Sequence, residues 1–588
     1  MLEDIYKIGL IRQKTQEQTM DNSIIPDKIS AMDKVYCLNF DENLNFTNMS
    51  VQEFNEKRQY QYLLRKNSSN GINFGPTSQI TEIEKTLQKK MMAWFKNIID
   101  SSEETEQKEK ANKILKQIED NKLKIIEDIQ LAFSAKEKNL LTITINDQFP
   151  YDIPWIFEIY KKLIKNKVFG SDVHTGNCYV CKQHNVEIVP EYGVYKFYTK
   201  DKPGFISGGF QEKDFWRNCP VCTECQPIIN MARQFIENNL KYRYYGLNYY
   251  IIPSTIGSND DLEEILGILT ENEVKKHTLA QESKEAFEYE NEQILYTLKD
   301  TNNINSFRIF FAQKSNAAER ILLDIKDIYP NRFKQMYQAK EKIDKEYQDL
   351  LKYTNKDKQI ERVKFNFSFF REFLSKSDDK NMDNDLNKIF LSLTENIFYQ
   401  NKIKLETILI HIMRKLRRYL DEEEIGRLNF ATLKAIASIQ YLILIGCIER
   451  KEEKMMETQF DELFSKYQFG LDNNLKKALV LVGALVQKVM NIQYKEISST
   501  PFSKNLKSLR LREEEVKGIV AQAVNKMQEY DCYSLKSQEI VKEISKLILA
   551  TKNEWKLSVD EINFYIVAGM ALQKEIYGQE EKGEMKDE

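Results

Sequence analysis

The sequence predicts an α+β fold: an N-terminal mixed α/β region with an inserted cysteine-knuckle segment, followed by a C-terminal all-α helical bundle. Three observations lead there. Short runs such as Leu141-Thr-Ile-Thr-Ile145 alternate with the period of a half-buried strand. Five of the eight cysteines fall between positions 178 and 225, in two knuckles. Beyond about residue 331, apolar residues recur at helical spacing. At 588 residues the chain is too long for one core. The divisions read from the pattern are 1–165, an N-terminal α+β domain; 166–255, the knuckle segment; 256–380, a mixed α/β to helical middle region; and 381–588, the helical bundle.

In chain order, Lys34-Val-Tyr-Cys-Leu-Asn-Phe40, a turn at Asp41-Glu-Asn43 and Leu44-Asn-Phe46 read as a hairpin. A polar loop follows from Arg65 to Ser78, rich in Asn, Ser and Gly. Residues 81–137 are dense in Lys and Glu and helical, and Leu140–Ile145 is a strand. Between the knuckles, 194–199 is strand-like and Pro203–Phe210 is a turn-rich loop. A helix is expected from Cys225 toward Leu240, then a β-like run from Tyr244 to Pro253. Residues 258–300 are acidic and helical, and Ser306–Ala312 is a strand followed by a helix over 316–328. In the bundle, Leu405, Ile408, Leu409, Ile412, Leu416 and Tyr419 form one apolar stripe. Further helices are expected over 474–495, 513–530, 536–551 and 558–577, with a frayed acidic tail after Gly578.

Bulk numbers narrow the function classes. Apolar residues make up 42% and charged residues 30%, and the net charge is −3, so any nucleic-acid surface must be a local patch. Heavy use of Lys, Asn, Ile, Glu and Tyr suggests an AT-rich prokaryotic genome. No basic n-region and apolar run opens the chain, so no secretory signal is expected. The most apolar stretch, Ala435–Ile448, is shorter than the ~20 residues a span requires and contains Ser438 and Gln440, so it reads as a buried helix. Cys37, Cys447 and Cys532 stand alone, as in a reduced cytoplasm.

The knuckles are Cys178-Tyr-Val-Cys181 and Cys219-Pro-Val-Cys222-Thr-Glu-Cys225. Paired CxxC turns about forty residues apart have the ligand spacing of a structural zinc ribbon. The preferred ligands are Cys178, Cys181, Cys222 and Cys225, because Cys222 and Cys225 directly precede a helix. Cys219 with Cys222 is the alternative second pair. His174 and His184 flank the first knuckle and read as surface residues. Four thiolates close a tetrahedron and leave no position for a catalytic water.

Catalytic constellations are thin. No phosphate-binding loop, no Gly-x-Ser-x-Gly elbow and no adjacent His-Asp pair is present. The chain is therefore expected not to be an enzyme. Carboxylates converging only in space, as in a metal-dependent nuclease, are the alternative. Candidate nucleic-acid contacts are Arg65, Lys66, Asn67 and Asn70 in the polar loop and Lys202 beside the second loop. The last group is Lys504, Lys507, Arg510 and Arg512, a run with no acid between Thr500 and Glu513. His411, Arg414, Lys415 and Arg418 form a further basic face, but acids follow at 421–424, so it reads as a salt-bridged solvent face.

The knuckles, Val194-Tyr-Lys-Phe-Tyr-Thr-Lys-Asp-Lys-Pro-Gly-Phe-Ile-Ser-Gly-Gly-Phe210 between them, and Tyr249-Tyr-Ile-Ile-Pro253 beyond resemble the large-subunit family of type I-B CRISPR Cascade complexes. The resemblance is clear over about 170–330 and extends by element order over the rest. It implies a non-catalytic, cytoplasmic subunit that recognises the protospacer-adjacent motif in double-stranded DNA, helps unwind it and recruits a helicase–nuclease. Implied partners are CRISPR RNA, target duplex DNA, the backbone and other Cascade subunits and the helicase–nuclease effector, with no membrane. The family usually carries an aromatic where Cys219 stands, which makes Cys219 the extra cysteine. The C-terminal part would resemble a small subunit, which in such systems can arise from an internal start. Glu449-Arg-Lys-Glu-Glu-Lys454 before Met455-Met456 fits a purine-rich ribosome-binding sequence, and Met382 is another candidate start. A protein-binding zinc-ribbon scaffold is the third reading.

Overall fold

Strand β1 (Lys34–Phe40) lies inside a four-stranded sheet, pairing antiparallel with β2 (Phe46–Glu53) and parallel with β4 (Asn139–Ile145). The short β3 (Ser78–Gln79) pairs with β4, giving the order β2-β1-β4-β3. The computed structural model describes the chain except residues 16–31, 66–70, 103, 135–136, 170–173, 192–193, 196–210, 245–246, 256, 272–305, 316–317, 355–358, 375–379, 450–454, 552–554 and 579–588. It divides into two units, residues 1–238 with 314–320, and residues 239–313 with 321–588.

In the first unit the period-2 pattern of β1 sorts its side chains. Tyr36, Leu38 and Phe40 join Leu141, Ile143 and Ile145 of β4 in a core with Leu87, Met91, Trp94, Phe95, Ile98 and further helical residues. Val35, Cys37 and Leu140 face the other way, against Tyr62 and Leu64. With both faces covered, every residue of β4 is buried. The helical part is α2 (Ile83–Thr86), a π-turn over Leu87–Met92, α3 (Ala93–Ser101), α4 (Thr105–Asp120), α5 (Lys122–Ala132) and α6 (Pro154–Phe169). The expected 34–46 hairpin and 140–145 strand are present, and the described part of 81–137 is mostly helical, its last helix ending at Ala132. Helix α1 (Leu2–Thr15) and the knuckle segment complete the unit; the segment comprises hairpin β5 (His174–Gly176) and β6 (Val186–Ile188), and α7 (Cys225–Asn239).

The second unit opens with an antiparallel sheet of order β10-β9-β8-β7. Its strands are β7 (Lys241–Tyr244), β8 (Leu247–Ser254), β9 (Ser306–Ser315) and β10 (Ala318–Ile328), with α8 (Asn259–Glu271) between β8 and β9 in the chain. Strand β10 corrects the helix expected over 316–328. Ile321, Leu322, Ile325 and Ile328 fit a helical count, but β9 supplies a paired backbone, and the Arg308 guanidinium grips the Asp324 carboxylate across the pair (2.6 Å). Non-local pairing of this kind overrides a local periodicity. A second departure is the small hairpin β11 (Lys352–Thr354) and β12 (Ile360–Arg362) within the otherwise helical region.

The bundle comprises α9 (Pro330–Tyr347), α10 (Ser368–Phe373), α11 (Lys380–Tyr399), α12 (Leu405–Asp421), α13 (Ile425–Leu444), α14 (Asp461–Lys466), α15 (Asn474–Ile497), α16 (Glu513–Glu529), α17 (Leu535–Leu549), α18 (Val559–Ala571) and α19 (Gln573–Tyr577). The 405–419 stripe is the core face of α12, with Leu409, Ile412 and Leu416 buried. Ala435–Ile448 falls within and just beyond α13, whose middle is buried, and no described helix is long and apolar enough to cross a membrane. Helix α15 is the centre of the bundle, buried without a break from Leu475 to Gln487. It crosses α18 at two glycines. A Cβ on Gly483 would stand 1.8 Å from the Ile566 carbonyl oxygen, and one on Gly569 1.8 Å from that of Val480. The helices therefore meet backbone to backbone, which only residues without a Cβ permit.

Candidate metal centre and basic surfaces

The first knuckle is a tight turn. The Cys178 N–H donates to the Gln183 carbonyl (2.9 Å), its own carbonyl accepts from Lys182 (3.1 Å), and Lys182 closes the turn in the left-handed region at φ 62°. The second knuckle is laid against it. The Tyr179 N–H donates to the Pro220 carbonyl (2.7 Å), Thr223 to Glu187 (3.0 Å) and Val189 to Val221 (3.0 Å), so the hairpin holds the two turns in register. The Cys222 N–H points at the Cys178 sulfur (3.3 Å). Cys225 then starts α7, placing its sulfur at a helix N-terminus.

These turns bring Cys178, Cys181, Cys222 and Cys225 together, with all four Sγ atoms within 4.8 Å of one another. Cys181 and Cys222 are 3.8 Å apart. A tetrahedron with bonds of about 2.3 Å has an edge of about 3.8 Å, so the cluster fits one metal ion held by four sulfurs. Hydrogen bonds from Cys222 and Cys225 pull the Cys178 thiol well below its ordinary range, and sharing that proton raises the other two. A metal would take the place of those protons. Cys219 lies outside the cluster, and burial pushes its thiol up to about 11. His174 stacks instead on Trp216, 4.7 Å between centroids, and His184 is exposed.

Lys66, Asn67, Asn70, Lys202 and the Pro203–Phe210 loop lie outside the described residues. Arg65 is half-buried beside the Phe74 ring. The second half of its loop is interior rather than surface. Asn73 donates to the Thr77 carbonyl and Ser78 Oγ (2.9 and 2.8 Å), Trp94 donates to the Phe74 carbonyl (2.9 Å), and Gly75 sits against the Leu63 carbonyl.

The run from Lys504 to Arg512 is the most built of the candidates. Lys507, Ser508 and Leu509 are successive left-handed residues at φ 46°, 52° and 56°, each costing about 1–2 kcal/mol for a residue with a Cβ. The bundle holds them there. Leu509 and Leu511 are fully buried, the Leu509 carbonyl accepts from Arg417 (3.2 Å), and the Asn563 side chain both accepts from the Leu511 N–H and donates to its carbonyl (3.0 Å each). Lys504, Lys507, Arg510 and Arg512 are thereby left exposed. The charge is partly returned, since Lys507 meets Glu515 at 2.5 Å and the Glu515 carboxylate accepts the Arg512 N–H (2.7 Å). No sequence spacing announced Arg417 or Asn563 as the clamp. On α12, Arg418 pairs with Glu422 (2.7 Å) as the i,i+4 count predicts, whereas Arg417 turns to Asp560 and Arg414 to the Phe373 carbonyl (3.2 Å).

Three domains of CRISPR-associated protein TM1802 match the chain in order, the N-terminal domain over 1–166, the central domain over 175–328 and the C-terminal domain over 365–584. The chain belongs to the TM1802 family of CRISPR-associated proteins. No curated protein matches it. In this TM1802-family chain the cysteine cluster falls in the central domain, and the Lys504–Arg512 run falls in the C-terminal domain.

Proposed function

We propose that the chain is the non-catalytic large subunit of a type I-B CRISPR RNA-guided surveillance complex. In this reading it recognises the protospacer-adjacent motif in duplex DNA, helps open the duplex and docks the helicase–nuclease. The carrying observation is the ordered match of all three domains of one CRISPR-associated family. The cysteine cluster supports a structural role, because four sulfurs around one ion, here proposed to be zinc, leave no open coordination position. Phosphate contacts would fix register and a few polar side chains would read base edges, while guide pairing supplies most of the sequence specificity. Lys504, Arg510 and Arg512 are the proposed phosphate contacts in the bundle, with Lys66, Asn67 and Asn70 proposed for duplex DNA.

Affinity purification of the tagged chain from its native host tests the reading. Other Cas subunits and CRISPR RNA should co-purify; recovery of the chain alone, without RNA, overturns it. The nuclease alternative predicts DNA cleavage in Mg²⁺ or Mn²⁺ that a single Asp substitution abolishes. For the patch, replacing Lys504, Arg510 and Arg512 with Ala should weaken DNA binding and flatten its salt dependence, each lost phosphate contact removing roughly 0.7–0.9 from the log–log slope.

A further inference from the structure

Helix α1 is fastened to the cysteine segment at four points along its length, two at the knuckles and two on α7. The Glu3 carboxylate meets Lys182 Nζ at 2.6 Å, and Lys182 also lies over the Tyr179 ring, inside the first knuckle. The Tyr6 hydroxyl lies beside the Cys225 sulfur and within the electrostatic reach of Cys181 and Cys222. Gly9 lies on the first turn of α7, where a Cβ would be 2.5 Å from the Ile228 carbonyl oxygen. Arg12 places its guanidinium 3.9 Å from the centroid of the Phe235 ring. Between these contacts Ile5, Ile8 and Ile11 are buried.

We propose that α1 is the outer layer of the metal centre, with Tyr6 as a positioning residue that orients the Cys225 sulfur and the helix as a cover that slows release of the ion. The proposal rests on the zinc reading. Its physical basis is that a hydrogen bond to a ligating sulfur fixes the ligand's direction and tempers its charge. The helix also closes the side of the site on which Cys225 begins α7. Coupling of this kind is reciprocal: if the docked helix tightens the metal, the metal must tighten the docked helix. Metal occupancy in the central domain would then govern where a segment of the N-terminal domain sits.

The test uses the full chain purified with its metal. Zinc content is measured first, then the rate of zinc transfer to a chromogenic chelator, for wild type, Tyr6→Phe, Gly9→Leu and Lys182→Ala. One zinc per chain is expected throughout, with release faster by roughly 10-fold or more in Tyr6→Phe and Gly9→Leu. In cobalt-substituted protein, Tyr6→Phe should shift the sulfur-to-metal charge-transfer band. Hydrogen exchange in residues 2–15 should rise when zinc is stripped, while 474–497 stays protected, which also shows that the variants remain folded. One zinc per chain with wild-type release rates in all three variants overturns the cover. Absence of zinc from the wild-type protein overturns the metal reading itself, a distinct result.

Discussion

Cys219 stands three residues before Cys222, yet the fold gives the two thiols different surroundings. Cys222 is buried and drawn into the cluster by the Ile188–Cys222 bridge and its N–H contact to Cys178, while Cys219 is half-buried outside it with its thiol raised. Cys178→Ser and Cys225→Ser should therefore lose the metal, and Cys219→Ser should retain it; metal per chain by mass spectrometry checks both. Because each ligand must shed its proton, metal should leave as the pH is lowered, not raised. Asn563 carries comparable weight for backbone geometry. Fully buried, it satisfies both the N–H and the carbonyl of Leu511 at the end of the left-handed run. Asn563→Ala leaves both groups without that partner and should cost about 2–4 kcal/mol, read as a lower denaturant midpoint. The cysteines were legible from spacing alone. Asn563 was not, because it lies 52 positions from the backbone it serves.

Among the elements, the α15–α18 crossing is the most demanding. Gly483→Ala or Gly569→Ala forces a methyl group into a carbonyl 1.8 Å away, and the helices must separate. Each should destabilise the bundle by more than about 3 kcal/mol. Gly518 supplies the contrast, since it lies on the exposed face of α16, where an added methyl group would meet nothing within 4 Å. Gly518→Ala should stabilise by up to about 1 kcal/mol, and thermal unfolding of the pair separates packing from propensity. The helices of the bundle were legible because their stripes are long and regular. Strand β10 was not, since eleven residues with isoleucines at 321, 325 and 328 satisfy a helix count, and only the pairing with β9 decides between the two.

At the scale of the whole molecule, the bundle bears on the proposed internal start. A product beginning at Met455 or Met456 would contain α14 to α19 but not α12 and α13. Yet Arg417 of α12 holds both the Leu509 carbonyl and Asp560, and Asn429 of α13 donates to Gln487 of α15 (3.0 Å). A 455–588 chain should accordingly bind a hydrophobic dye and melt below a 405–588 chain, unless a partner subunit replaces the missing helices; dye fluorescence and circular dichroism of the two compare them. Sequence alone determined the elements whose signal is local: the paired CxxC turns, the 34–46 hairpin, the amphipathic helices, and the divide between an α/β part and a helical part. Periodicity and turn chemistry act over a few residues, so one chain suffices to read them. Tertiary structure alone decided that Cys225 rather than Cys219 completes the cluster, that α1 packs on the cysteine segment, that 73–78 is interior, and that Lys507–Leu509 is held left-handed by Arg417 and Asn563. Each of these depends on residues far apart in the chain meeting in one place, and no local pattern encodes that meeting.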